Sequence, residues 1–320
     1  MVVRTRAAVA VGAVALVVVA ACSSGSDGEP DRAAPLSSSP PPACLRPHEA
    51  GQSRESFDFD GVARPYELYV PVSYDGGHPA PVVFDFHGFG SNAVEQLAYS
   101  NFQPLADRDG FLIVAPEGQG EGAAKHFNLL DMPGEQDDVA MVRALLDHLE
   151  AQFCIDTRRV FSTGMSDGGA MTSVLACKAA DRFAAFAAVA VILYVPPLCD
   201  ASRAVAIEAF SGTADPIVPF NGGEVNCCGR VRIGAAPDAM AGWAAHDGCD
   251  PAFTDTAVGT EVTQRSWHDC APGSDAVFYI IQGGGHTWPG AIPIDRLGPT
   301  TRQISATETI WSFFQAHPLP

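Results

Sequence analysis

From Gly51 onward, short apolar runs alternate with stretches of helical period, and this alternation limits the possible folds more than any other feature of the chain. Residues 81–86 (PVVFDF), 111–116 (FLIVAP), 183–193, 205–211 and 276–281 are apolar through most of their length, as expected of strands covered on both faces, and 159–163 (RVFST) reads as a further strand. Between them the spacing predicts helices over 92–107, 136–153, 168–178, 237–246 and 303–316. The second of these carries Val139, Val142, Leu145, Leu146 and Leu149 on one face, with Asp137 and Asp138 at its positive N-terminal end. Strand after helix after strand requires crossover connections. The chain is therefore α/β, with a mostly parallel central sheet and helices on both faces. Residues 53–59 and 65–70 read instead as an antiparallel pair around the turn-prone Asp60-Gly61, and 262–267 as a further strand. No internal repeat and no second domain are visible.

The first 43 residues do not fit that pattern. Arg4 and Arg6 lead into an apolar run that ends in Val19-Ala20-Ala21-Cys22, which is short for a bilayer span and has the form of an export signal over 1–21. Small residues before a cysteine resemble a bacterial lipobox, so Cys22 is expected to carry lipid and to anchor the exported chain to the outer face of a membrane. A plain secretory signal is the alternative. Residues 22–43, rich in Ser, Pro and Gly, cannot bury a face and read as a disordered tether, which leaves 44–320 as the catalytic domain.

With 19 basic against 37 acidic residues the chain is strongly acidic, which argues against nucleic acid as a partner. Setting Cys22 aside, the remaining cysteines are even in number, and in an exported chain they point to disulfides. Cys249 and Cys270 bracket a short segment and are the expected pair. The neighbours Cys227 and Cys228 are expected to bond different partners, because adjacent cysteines sit tighter than disulfide geometry prefers. Without a C-x-x-C pair a zinc site is disfavoured, and no metal or cofactor is expected.

Gly164-Met165-Ser166-Asp167-Gly168 is a G-x-S-x-G pattern between a strand-like RRVFST and a helix-like GGAMTSVLACKAA. The chemistry behind that pattern is a sharp strand-to-helix turn that exposes a serine hydroxyl, and the flanking glycines avoid collisions. The pattern alone is common, so its partners matter. A triad on such a sheet needs an acid after a later strand and a histidine last. Asp215 follows strand 205–211, and His286 follows strand 276–281 through three glycines. Only His286, and not His246 or His268, both follows a strand directly and precedes the closing helix. Ser166 is thus the expected nucleophile, His286 the general base and Asp215 the acid that orients it. The backbone N–H of Asp167 and that of Phe89 are the expected oxyanion donors, Phe89 belonging to the His87-Gly88-Phe89-Gly90 loop after strand 81–86. His87, Gly88 and Trp288 are candidates for lining the substrate pocket. A simple turn at His87-Gly88 and core packing of Trp288 are the competing readings.

The stretches FDFHGFGSN (84–92), QDDVAMVRALLDHL (136–149), CIDTRRVFSTGMSDGG (154–169), SGTADPIVPFNGG (211–223) and GGGHTWPG (283–290) resemble, in order, the extracellular polyhydroxybutyrate depolymerase-like, feruloyl and acetylxylan esterases of the α/β-hydrolase superfamily. The resemblance implies the α/β-hydrolase fold and cofactor-free hydrolysis of carboxylic esters, with short acyl, aryl or polyester substrates. It also carries the three catalytic roles onto Ser166, Asp215 and His286. Asp167 departs from it, since many relatives have Asn beside the nucleophile. A carboxylate there disfavours an oxyanion unless it points away. That departure motivates an alternative reading, a cell-envelope protein that binds or transfers acyl groups on the same fold.

Overall fold

The computed structural model describes residues 46–129, 132–194, 199, 201–227 and 231–320. The signal segment 1–21, the lipidation site Cys22, the tether 22–43 and Cys228 lie outside them.

Among the described residues a ten-stranded sheet runs in the order β1-β2-β4-β3-β5-β6-β7-β12-β11-β10. Its strands are β1 (Gly51–Phe59), β2 (Val62–Val70), β3 (Ala80–Phe86), β4 (Leu112–Pro116), β5 (Ile155–Met165), β6 (Ala185–Val189), β7 (Ala206–Gly212), β10 (Phe253–Ala257), β11 (Val262–Trp267) and β12 (Ala276–Ile281). Strands β4, β3, β5, β6, β7 and β12 pair in parallel, and both edges are antiparallel. The expected hairpin closes at Asp60 and Gly61, both at positive φ, which matches the twist of the flanking strands. A separate pair, β8 (Gly223–Glu224) with β9 (Arg232–Ile233), projects between β7 and the helix that follows.

Alternation within the strands divides the core in two. Val82, Phe84 and Phe86 of β3 join Leu112 and Val114 of β4 on one face, against Val142, Leu145 and Leu149 of α3 (Asp138–Gln152), Met171 and Leu175 of α4 (Asp167–Lys178) and Met240 and Trp243 of α5 (Ala236–His246). Val83, Ile113 and Ala115 face the other way, against Leu97 of α1 (Ala93–Ser100), Leu105 of α2 (Gln103–Asp109) and Ile310, Trp311 and Phe314 of α6 (Ala306–Ala316). Burial on both faces explains why the central strands are apolar throughout.

Some elements differ from the sequence expectation. The single helix over 92–107 is two, because Asn101 caps α1 in the left-handed conformation (φ 53°) and Pro104 begins a new helix. Strand 183–193 pairs only over Ala185–Val189, and Ala190 turns away at φ 65°. Helix 303–316 starts at Ala306, where Ser305 accepts the Glu308 N–H as N-cap. The edge strand β10, exposed along its whole length, had no apolar signal to reveal it.

The expected disulfide is seen among the described residues, together with one not singled out in the sequence. Cys249 is bonded to Cys270, and Cys177 to Cys199. Cys154 and Cys227 are disulfide-bonded as well.

Candidate active site

Three turns leave the C-terminal ends of the parallel strands β5, β7 and β12. Ser166 follows β5 as the N-cap of α4 at φ 59°, ψ −116°, a conformation that non-glycine residues rarely adopt, and its N–H donates to Val189 O at 2.9 Å. The turn is possible because Gly168 lies against the end of β3: a Cβ there would collide with the carbonyl oxygens of Phe86 and His87. Gly88 packs against the serine from the other side, where a Cβ would stand 3.3 Å from Ser166 Cβ.

Asp215 lies in the turn after β7. Its Oδ1 accepts the N–H groups of Ile217 and Val218, each at 2.8 Å, and its Oδ2 meets His286 Nδ1 at 2.7 Å. Two backbone amides on one oxygen fix the carboxyl plane, so the other oxygen is aimed at the histidine. The acid and histidine loops are also stitched together: Ala214 N–H donates to Gly284 O at 2.9 Å, and Gly283 N–H to Thr213 Oγ1 at 2.8 Å. The side chains of His286 and Asp215 are both buried, and with Nδ1–H donating to Asp215 the Nε2 is left to accept.

The His87-Gly88-Phe89 loop is organised from behind. Gly118 N–H donates to His87 Nε2 at 2.9 Å, so the ring proton sits on Nδ1, which donates to Gly88 O at 2.8 Å. Burial lowers the His87 pKa and keeps the ring neutral. Because a trans peptide points its C=O and N–H in opposite directions, holding Gly88 O this way turns the Phe89 N–H outward. No hydrogen bond among the described residues uses the N–H of Phe89 or of Asp167. The Asp167 side chain turns away from this corner, its Oδ2 accepting the Phe127 N–H at 2.8 Å, and burial pushes its pKa up to about 6.

Two of the residues expected to line the pocket are elsewhere. Trp288 is buried in the layer under α6, with Nε1–H donating to Thr307 Oγ1 at 3.0 Å, because the chain after His286 dives into the core. His87 is also fully buried and supports the loop instead of facing solvent. The small cavity beside the acid is lined by Ala190, Val191, Ser211, Asp215, Val218 and Phe220, with Ile233 of β9 closing one side. None of these except Asp215 stood out in the sequence, since they come from separate loops. Among the described residues no group of acidic, histidine or cysteine side chains could hold a metal ion.

Residues 64–218 match the family profile described as Esterase PHB depolymerase, a span that holds Ser166 and Asp215 but stops short of His286. The chain is 30% identical over 262 residues to "Probable feruloyl esterase C" of Aspergillus niger, covering 79% of this chain and 84% of that one. It is 26% identical over 270 residues to "Feruloyl esterase D" of Neurospora crassa, covering 80% and 83%. The acetyl xylan esterase from Aspergillus awamori shares the fold, with a TM-score of 0.61 at 15% identity over 83% of this chain and 99% of that one. Sequence likeness along most of both chains reflects common descent as well as common shape, and together with the profile it makes this chain a carboxylic-ester hydrolase of the PHB depolymerase esterase family, built on the α/β-hydrolase fold.

Proposed function

We propose that Ser166, His286 and Asp215 are a catalytic triad that hydrolyses carboxylic esters through an acyl-enzyme. The observation that carries this reading is the 2.7 Å contact between His286 Nδ1 and Asp215 Oδ2, in a sheet whose parallel strand β5 leads directly into Ser166 at positive φ. With Nδ1–H committed to Asp215, His286 Nε2 is free to take the Ser166 proton as Oγ bonds to the ester carbonyl carbon. The resulting oxyanion faces the N–H groups of Asp167 and Phe89, each contributing on the order of 3 kcal/mol to the transition state. Collapse breaks the bond to the alcohol, which leaves with the proton from His286. Water then repeats the sequence on the acyl-enzyme and releases the acid.

The relatives' names point to feruloyl and acetyl esters on neutral polysaccharides, or polyester, as the substrate class, and the acidic surface of this chain is compatible with uncharged polymers. Export over a signal at 1–21 and anchoring through lipid on Cys22 complete the proposal. Disulfides at Cys177–Cys199 and Cys249–Cys270 support an oxidising compartment. The turned-away Asp167 carboxyl removes the observation that favoured an acyl-binding protein without turnover.

The test is hydrolysis of a panel (p-nitrophenyl acetate and butyrate, methyl ferulate, acetylated xylan, hydroxybutyrate oligomers) by wild type and Ser166→Ala. Loss of turnover on the order of a million-fold in the variant supports the triad, and the preferred ester names the substrate class. Activity that survives the substitution refutes it. Labelling of the full chain, but not of Cys22→Ser, with a radioactive fatty acid tests the anchor.

A further inference from the structure

A line of buried polar groups crosses the α1–α6 layer, where apolar packing alone would serve. Asp85 interrupts the apolar run of β3, and both its oxygens are taken: Gln96 Nε2 donates to Oδ1 at 2.7 Å and Ser100 Oγ to Oδ2 at 2.5 Å. The carbonyl oxygen of Ser100, at the end of α1, accepts the Thr307 hydroxyl at 2.5 Å, and Thr307 Oγ1 accepts Trp288 Nε1–H at 3.0 Å. All of these side chains are buried, none more than 8% exposed. Each would be costly to leave unpaired, and all are paired.

The two ends of this line stand beside different catalytic loops. Asp85 immediately precedes the Phe86-His87-Gly88-Phe89 turn, and Trp288 follows His286 by one intervening residue. These loops belong to β3 and β12, which the sheet separates by β5, β6 and β7. At about 4.8 Å per strand the separation is roughly 19 Å, too far for one ladder to set the histidine against the oxyanion donors. The polar line makes that connection directly, through the C-terminal end of α1 and the first turn of α6. Thr307 is its central member, because a hydroxyl alone donates to Ser100 O and accepts from Trp288 at once. The Ala306 N–H, donating to Pro289 O at 2.9 Å, ties the same turn of α6 to the same loop.

We propose that Asp85, Ser100, Thr307 and Trp288 form a positioning bridge that fixes the His286 loop relative to the oxyanion loop, with Thr307 as its central positioning residue for ester hydrolysis. The inference rests on the triad proposed above. Thr307→Val removes both hydrogen bonds at nearly constant volume, and Thr307→Ser keeps them.

The experiment measures kcat, KM and Tm on p-nitrophenyl acetate for the full chain, Thr307→Val, Thr307→Ser and Ser166→Ala, at a temperature well below every Tm. The expected result is a kcat about tenfold lower in Thr307→Val with KM within about twofold, and recovery to within about twofold of wild type in Thr307→Ser. Should Thr307→Val not fold, Trp288→Phe removes the N–H while keeping an aromatic ring, and the same fall in kcat is expected. A variant that loses Tm but keeps wild-type kcat overturns the bridge, as does a serine variant that fails to recover. Hydrolysis that persists in Ser166→Ala is a different failure: it overturns the triad, and the bridge falls with it.

Discussion

The carboxyl of Asp85 makes stability depend on pH in a way that one substitution should isolate. Burial pushes its pKa up to about 7 from an ordinary 3.8, against the opposing pull of the Ser100 and Gln96 hydrogen bonds. The folded chain therefore holds this proton to higher pH than the unfolded chain does. Its contribution to stability is fully present below about pH 4 and is lost as pH rises through about 7. A gap of about three pKa units corresponds to about 4 kcal/mol at roughly 1.4 kcal/mol per unit. Asp85→Asn removes the titration and resembles the protonated acid, since the amide oxygen can accept from Gln96 and the amide N–H can donate to Ser100 Oγ. The assay is denaturant unfolding of both proteins from about pH 4.5 to about pH 8.5. Other titrating groups act equally in both proteins and cancel in the difference. That difference should move in favour of the variant by about 3 kcal/mol across the range, most steeply around pH 5 to 7, the remainder of the effect lying below about pH 4.5. A difference that stays flat to within about 0.5 kcal/mol would refute the reasoning, because it would mean that Asp85 does not titrate between the two states.

Asp167 is pushed up to about 6 by burial, so at neutral pH it carries a negative charge which, although the carboxyl is turned onto the Phe127 N–H, still belongs to the residue whose own N–H is an expected oxyanion donor. Asp167→Asn keeps an acceptor for Phe127 and should raise kcat/KM several-fold at about pH 8 while leaving it unchanged near pH 5; an equal ratio at both would show that the charge is not felt. Arg64→Met strands the buried Asp138 carboxylate, which the guanidinium now meets at 2.7 Å, and should cost about 3–5 kcal/mol in unfolding experiments. Cys249→Ser paired with Cys270→Ser opens a loop of sequence separation 21 and should cost about 3 kcal/mol, with activity at low temperature retained.

The readable part of this site is the part built from neighbours in sequence. Ser166 is marked by glycines that its own turn requires, and Asp215 and His286 by following strands in the order the fold demands, so each could be proposed from its immediate surroundings. Trp288 shows where that method fails. Its distance along the chain from His286 suggested the pocket, but its position is decided by Thr307 and α6, which nothing near residue 288 specifies. The same holds for Asp167, whose carboxyl is turned by the backbone of Phe127, 40 residues earlier. The split of the helix over 92–107 is a local event that the apolar period concealed, since Leu97, Phe102 and Leu105 all reach the same core despite the left-handed Asn101 between them. Asp85 is the instructive middle case. An acid inside the run VVFDF had to be either an error of strand assignment or a buried group with partners, and the sequence could raise that question without naming Ser100 and Gln96. A charged residue in an apolar strand that otherwise pairs normally is therefore itself a signal, and here it leads from β3 across the helix layer to the histidine loop.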